Sequence, residues 1–198
     1  MNYLAHAYLS FNKADVLTGN MISDHIKGRA MYNFSGSILI GIKLHRQIDN
    51  FTDSHDSIKQ IRSFFSPVYG LYSAVFADVV LDHFLANDKS LFTETSLKVF
   101  SHDCYKTIEQ NRDVLPDGFT RIFPHMKTMD WLANYRNDQG IENAFKGLVH
   151  RAKYMNDSSA AFQIFLQNKN KMNEHYEDFF PQVKTFALQS LEELMNSD

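Results

Sequence analysis

The sequence is poor in the residues that crosslink or interrupt a polypeptide. It has one cysteine, four prolines and eight glycines among 198 residues. With Cys104 alone no internal disulfide can form, which fits a reducing compartment, and we expect this thiol to be buried and inert. The prolines and glycines fall mostly between segments of periodic hydrophobicity, where they mark the ends of secondary structure.

Signals for export, membrane insertion and nucleic-acid binding are also missing. The N-terminal segment Met-Asn-Tyr-Leu-Ala-His contains no basic region and no long apolar run, so we expect neither a signal peptide nor a membrane span. The formal net charge of −3 argues against non-specific binding to nucleic acid, although a local basic patch could still serve an acidic partner. The sequence therefore predicts a cytoplasmic protein.

The composition is that of an ordinary globular protein, with 44% hydrophobic and 22% charged residues. Its length predicts one domain over residues 1–198. No run alternates long enough to indicate a strand, so the fold class is predicted to be all-α, a single helical bundle. Breaks are expected at 66–67, 115–118 and 180–181. The periodicity predicts helices near residues 2–10, 13–26, 36–54, 56–65, 69–87, 92–112, 117–137, 140–152, 157–178 and 182–195.

The most informative stretch lies within the third predicted helix, at residues 41–55. His45, Asp49 and Asp53 are spaced i, i+4, i+8 and therefore share one face at about 100° per residue. The same face carries Ile38 and Ile42 one and two turns earlier. A face that begins apolar and becomes ionisable is typical of a helix that leaves a core and enters a polar pocket.

A second helix, over residues 74–86, is apolar on all sides except for two aspartates and a histidine. Such a helix is expected to be buried, and an unpaired carboxylate inside it would cost several kcal/mol. These groups therefore need cations or donors. We predict that a divalent metal is the shared partner of ionisable residues on both helices: His45, Asp49, Asp78, Asp82 and His83.

Two earlier helices add polar residues at the same spacing, and together the four helices indicate a metal site between facing helices. His6 follows Asn2 by four residues, and Asp24 follows Asn20 by four. Oxygen and nitrogen donors without a thiolate set favour Mn²⁺, Mg²⁺, Fe²⁺ or Zn²⁺ over a structural zinc. Such a metal most simply hydrolyses a phosphate ester, and Arg46 is suited to hold the phosphate.

Four motifs occur in order in the first half of the chain, and together they resemble acyl carrier protein phosphodiesterases, also called acyl carrier protein hydrolyases. The resemblance extends to the length and helical plan of the rest. The motifs are Asn2-x-Leu4-Ala5-His6, Gly19-Asn20-x3-Asp24-x2-Lys27-Gly28, His45-Arg46-x-Ile48-Asp49-x-Phe51-Thr52-Asp53 and Asp78-x3-Asp82-His83-Phe84-Leu85.

The resemblance implies an activity and a cofactor. Members of the family remove the 4′-phosphopantetheine arm from holo acyl carrier protein by hydrolysing its phosphodiester link to a serine. They depend on a divalent cation, typically Mn²⁺, and are unusual relatives of the HD phosphohydrolases, all-α enzymes with a metal on a His-Asp dyad. In this sequence the neighbouring pair is Asp82-His83, in reversed order. The metal ligands therefore cannot be copied from the HD pattern.

We assign the candidate roles from the helix geometry. The pool of metal ligands, of which one ion would use only some, is Asp24, His45, Asp49, Asp82 and His83. Groups that orient partners or position water are expected among His6, Asp24 and Asp78, while Arg46 and Lys27 are expected to hold the phosphate. Acyl carrier proteins are acidic, so docking should use a basic patch at the pocket mouth, drawn from Lys27, Arg29, Lys43, Lys59 and Arg62.

Three other interpretations are compatible with these residues. The same metal site would serve an HD-like phosphohydrolase of nucleotides or small phosphate esters. A helical binding or regulatory protein would keep the pocket without turnover. In a purely structural interpretation, the carboxylates are salt-bridged core residues and the protein holds no stoichiometric metal.

Overall fold

The predicted all-α fold is confirmed. The computed structural model describes residues 1–152 and 157–197, and these form ten α-helices, four short 3₁₀ segments and no β-strand. The α-helices are α1 (Tyr3–Tyr8), α2 (Ala14–Ile22), α3 (Gly36–Ser54), α4 (Asp56–Tyr69), α5 (Ser73–Asn87), α6 (Glu94–Gln110), α7 (Asp117–Thr128), α8 (Trp131–Asn134), α9 (Asp138–Arg151) and α10 (Ser159–Asn196). The 3₁₀ segments are Ser23–His25, Gly28–Asn33, Gly70–Tyr72 and Arg112–Val114.

Two glycines allow α2 and α3 to pack unusually close together. A Cβ atom on Gly19 would lie 2.0 Å from the carbonyl oxygen of Ile38, and one on Gly41 would lie 2.2 Å from that of Val16. Neither position has room for a side chain, so only glycine permits this approach. The contact matters for function because it places the end of α2 against the part of α3 that carries His45.

The stretch Asp56–Asn87 is long and apolar enough, by length and composition, to cross a membrane. In this fold Gly70, with a φ of 53°, ends α4 and separates it from α5. The two helices pack against each other, and Asp82 and His83 in α5 are completely buried. The stretch therefore forms two packed helices, of which α5 is largely buried and α4 buries one face.

Aromatic side chains join the helices of the core. Phe65 of α4 stacks on Phe76 of α5 at 5.6 Å between ring centroids, and Phe145 of α9 meets Phe76 edge-on at 5.0 Å. All three are fully buried. The long helix α10 covers this core, packing against α3, α4, α5 and α9. α10 thereby supports α3, α4 and α5 beside the site described below.

Three predicted helix boundaries were wrong. α4 continues through Pro67, and α10 continues through Pro181, so two predicted C-terminal helices are one. A proline costs a helix one hydrogen bond, and the buried residues on both sides of Pro181 compensate for it. The predicted helix 117–137 is divided at Asp130, which is left-handed (φ 42°) and accepts a hydrogen bond from the Ala133 N–H to begin α8. The predicted break at 115–118 is confirmed.

Candidate active site

Three side chains from α1 and α3 form a compact group that we call the His6–His45–Asp49 group. One ligand atom from each lies within 4.8 Å of the others. The two imidazole rings stack with centroids 3.9 Å apart and planes 16° from parallel. Nε2 of His6 lies 3.2 Å from Asp49 Oδ1, and Nε2 of His45 lies 3.0 Å from Asp49 Oδ2. The i, i+4 spacing on α3 thus brings His45 and Asp49 together, as predicted, and α1 supplies the third member.

His45 is held in one orientation by the end of α2. Its Nδ1 lies 2.8 Å from the carbonyl oxygen of Asn20, and because a carbonyl only accepts, Nδ1 carries a proton that it donates. Nε2 is thereby directed at Asp49 and at Asp24 Oδ1, which lies 3.1 Å away. Burial lowers the pKa of His45, but hydrogen bonds to Asp24 and Asp49 outweigh it and raise the pKa to about 9. His45 is therefore a cation between two carboxylates.

His6 is buried, with neither ring nitrogen in a well-formed hydrogen bond to the described residues. Burial, followed by the charge on His45, lowers the pKa of His6 to about 4. The ring is therefore neutral at pH 7 and offers a nitrogen lone pair to a ligand. Native proteins rarely leave buried polar atoms unsatisfied, so this imidazole points to a missing partner.

Asp49 remains a carboxylate although it is partly buried. Burial would raise its pKa, but its contacts with His45 and His6 hold the pKa far below the usual range. Its Oδ1 also lies 3.4 Å from the α-ammonium of Met1. The same ammonium lies 3.3 Å from Asp78 Oδ1, so Asp78 sits beside the group, with a pKa raised chiefly by burial.

Asp24 lies at the open side of the group. The sequence predicted a helix over residues 13–26, but α2 ends at Ile22 and Asp24 belongs to the 3₁₀ segment that follows. Its side chain is 65% exposed. The hydrogen bond from His45 lowers the pKa of Asp24. A group that is charged, exposed to solvent and in contact with His45 is suited either to bind a cation or to accept a proton from water.

The donor set of this group fits a divalent metal. Together with the adjacent Asp24 it offers two imidazole nitrogens and two carboxylates, which suit Mn²⁺, Fe²⁺ or Zn²⁺. With its pKa raised to about 9, His45 carries an extra proton that faces these carboxylates. Because a metal ligand must be deprotonated, a bound cation would take the place of that proton.

Asp82 was predicted to bind the metal, but the structure places it elsewhere. Its Oδ2 accepts the backbone N–H of Leu4 at 2.7 Å, and its Oδ1 accepts that of Ala5 at 3.1 Å. These are free N–H groups in the first turn of α1, which a carboxylate satisfies well. Burial raises the pKa of Asp82 to about 7. Asp82 therefore fixes α1, and with it the position of His6.

His83 is likewise not brought to the group. Its Nδ1 donates to the carbonyl oxygen of Tyr135 at 2.8 Å, and its ring meets Phe165 edge-on at 5.2 Å. Neighbouring residues on a helix point about 100° apart, so Asp82 and His83 serve different sides of α5. Both form contacts that hold the fold together, and the two side chains have different partners.

The burial of His83 predicts a pH dependence of stability. Burial, followed by the charge of Lys169, lowers its folded-state pKa from 6.5 to about 4. A lowered histidine pKa stabilises the fold above pH 6.5, and this contribution is lost as the pH falls toward 4. This contribution to the free energy of unfolding is on the order of 3 kcal/mol. Urea unfolding between pH 7 and 4.5 should show a flatter profile for His83→Asn than for the unmodified protein, and equal slopes would contradict this assignment.

Arg46 and Lys27 lie on the side of the group where Asp24 is exposed. The Arg46 guanidinium donates to the carbonyl oxygen of Ile26 at 3.1 Å and contacts the sulfur of Met31, tying α3 to the segment after Asp24. Lys27 is exposed on that segment.

Sequence reasoning missed the part played by Asn20, which also donates to the backbone oxygen of His6 at 2.9 Å and so contacts both histidines. Its spacing to Asp24 was the available signal.

Comparison with known proteins gives the same family for nearly the whole chain. The family model described as acyl carrier protein phosphodiesterase matches residues 1–183. The chain belongs to the acyl carrier protein phosphodiesterase family. The matched residues include every member of the candidate site and the helices that hold it, α1 to α5.

Curated relatives of this family align over almost their full length. Proteins named acyl carrier protein phosphodiesterase from Photorhabdus laumondii, Pectobacterium atrosepticum and Serratia proteamaculans are 29%, 28% and 27% identical to this chain. The alignments cover 100%, 94% and 92% of this chain and 97%, 97% and 95% of the relatives. No solved structure matches the chain.

Proposed function

We propose that this family member hydrolyses the phosphodiester bond that links 4′-phosphopantetheine to a serine of holo acyl carrier protein, releasing the apo carrier. The observation that carries the proposal is the His6–His45–Asp49 group, a pair of stacked imidazoles against a carboxylate at the meeting point of α1 and α3. The family name supports the substrate. A lone buried Cys104 accords with the reducing cytoplasm as the location.

We propose that His6, His45 and Asp49 hold a divalent metal, most simply Mn²⁺, with Asp24 as a further ligand or as the base. When bound, such a metal lowers the pKa of water and screens the charge of the phosphate. Other residues of the chain hold these ligands in position. The Asn20 carbonyl fixes the tautomer of His45, and Asp82 fixes the first turn of α1. These supports keep the ligand atoms of both histidines aimed at Asp49.

The remaining residues have roles in positioning the substrate. Asp24 is the exposed carboxylate that could take a proton from the attacking water at its Oδ atoms, since burial does not hold it in the core. Arg46 retains N–H groups beyond its contact with Ile26 and would donate them to phosphate oxygens, with Lys27 as an additional cation. Asp78 contacts the Met1 ammonium beside Asp49 and would orient that side of the group.

The proposed docking patch for the acidic carrier is smaller than the sequence indicated. Lys59 pairs with Asp56, and Arg62 pairs with Asp53, so these two cations are partly neutralised within the chain. Of the five candidate cations, Lys27, Arg29 and Lys43 then remain for the proposed patch. Lys27 and Arg29 lie on the exposed segment that follows Asp24, where a carrier protein delivering its phosphate would approach.

Intact mass analysis of the carrier tests the proposal directly. Holo acyl carrier protein incubated with this protein and Mn²⁺ should lose the mass of one phosphopantetheine, and a chelator should prevent the loss. An unchanged carrier mass in the presence of Mn²⁺ would refute the proposal. If nucleotides or small phosphate esters were hydrolysed under those conditions, the HD-like alternative would take its place.

A further inference from the structure

A surface cavity of about 360 Å³ lies between the start of α1, helix α5, the α7–α8 junction and α9. Its apolar walls include Trp131, Met129 and Leu148. Met129 is 47% exposed, so the cavity opens to solvent. Its volume is within the range of pockets that enclose small molecules. The residues that line this cavity are not those described above as contacting the His6–His45–Asp49 group.

The cavity adjoins the candidate metal group at two points of the chain. Asn2 lines it and directly follows Met1, whose ammonium lies 3.4 Å from Asp49. Val79 lines it and directly follows Asp78, which contacts the same ammonium. Successive Cα atoms are only about 3.8 Å apart, so the cavity begins one residue away from Met1 and from Asp78, which contact each other beside Asp49.

A row of aromatic rings continues this connection toward the exposed side of the group. Tyr3 lines the cavity, where its ring lies 6.2 Å from that of Trp131. On its other side Tyr3 meets Phe119 at 6.4 Å, and Phe119 meets His25 at 5.5 Å. His25 directly follows Asp24. Packed rings therefore connect the cavity wall with the segment that carries the exposed carboxylate.

The chemistry of the walls favours an uncharged occupant that contains amides. Among the described residues that line the cavity, none is an aspartate, glutamate, lysine or arginine. Asn2 and Asn143 also line it, and each uses its side-chain oxygen as an acceptor, from the Tyr3 N–H and from Gln139. Their amide N–H groups are then available to donate to carbonyl oxygens. Pantetheine has two amides, two methyl groups and a thiol, and it carries no charge.

We infer that this cavity binds the pantetheine arm of the carrier protein while the phosphate at the end of that arm lies at the His6–His45–Asp49 group. The inference rests on the proposed function for the identity of the ligand. It assigns a substrate subsite to the α7–α9 part of the chain, which the metal group itself does not use. The site thereby recognises the arm by its amides and apolar surface, separately from the charges that hold the phosphate.

Gly147 offers a substitution that fills the cavity without disturbing its surroundings. It lies on α9, lines the cavity, and has no heavy atom within 4 Å of the position that a Cβ would occupy. Gly147→Ala should also favour the helix, since alanine is the better helix former. Gly147→Leu extends further into the open space. Lys146→Leu is the matched control, because Lys146 is exposed on the same helix and does not line the cavity.

Trp131 is the single tryptophan of the chain and therefore reports binding by its fluorescence. Titration with free pantetheine, which has no phosphate, should give a saturable change in the unmodified protein without added metal. The Kd should rise at least tenfold in Gly147→Leu and at least threefold in Gly147→Ala, which decides the matter if the leucine variant does not fold. Lys146→Leu should match the unmodified protein within twofold. No saturable change, or equal binding by the filled variants, would overturn the inference.

Assaying the same proteins on holo acyl carrier protein with Mn²⁺ separates this inference from the proposed function. Pantetheine binding without release of the arm would refute the function and leave the subsite standing. Release of the arm at an unchanged kcat/KM by folded Gly147→Leu would refute the subsite and leave the function standing.

Discussion

Asp49→Asn should reduce kcat/KM for release of the phosphopantetheine arm by at least about a thousandfold in saturating Mn²⁺. Asp49 places one carboxylate oxygen against Nε2 of each histidine, and an amide of the same shape removes its negative charge. A catalytic metal contributes several kcal/mol to transition-state stabilisation, and each 1.36 kcal/mol is a factor of ten in rate. The rate is measured by intact mass of the carrier at timed intervals.

Asp53→Asn is the control for this substitution. Asp53 lies one turn further along α3, is 66% exposed and pairs with Arg62 away from the group. Its variant should keep kcat/KM within about twofold, because exposed ion pairs contribute little. If Asp49→Asn remained folded by circular dichroism and kept a tenth of the activity, Asp49 could not be a metal ligand.

His45→Asn should weaken Mn²⁺ binding at least about a hundredfold, whereas His83→Asn should leave it unchanged. The two histidines form a matched pair, since both are buried and each donates its Nδ1–H to a backbone carbonyl, of Asn20 and of Tyr135. Asparagine can imitate that donation in both places. Only His45 has an Nε2 directed at Asp24 and Asp49, and losing even an outer partner of a metal site costs 10–100-fold in affinity.

Titration calorimetry with Mn²⁺ measures this difference, with the thermal midpoint of each variant as the check on folding. Equal loss of affinity in both variants would mean that the two histidines act only through the stability of the fold. Normal affinity in a folded His45→Asn protein would place the metal elsewhere.

Spacing within a helix predicted the part of the site that lies on α3. His45 and Asp49 are four residues apart, and this local geometry was enough to place them on one face. The position of His6 next to His45 and Asp49 could not be derived in the same way, because it depends on how α1 packs against the other helices. That docking uses the carboxylate of Asp82, 78 residues from its partner Leu4.

The contacts of Asp82 and His83 could not be derived from the sequence for a related reason. Burial of Asp82 correctly indicated that it needs a partner, but a helix N-terminus satisfies a carboxylate as a cation does. The sequence alone did not show whether a helix N-terminus or a cation would satisfy the Asp82 carboxylate. The cavity was also beyond prediction, because its walls come from the start of α1, from α5 and from three helices of the second half. The helix ends at Pro67 and Pro181 were also misjudged, and at Pro181 the buried residues on both sides outweigh the local preference of proline.

Crystals grown with Mn²⁺ and measured for anomalous scattering test the central claim most directly. The account predicts a peak in contact, at about 2.0–2.3 Å, with nitrogens of His6 and His45 and an oxygen of Asp49. A manganese peak beside Asp82 and His83, or clear density for this group with no peak at saturating Mn²⁺, would contradict it.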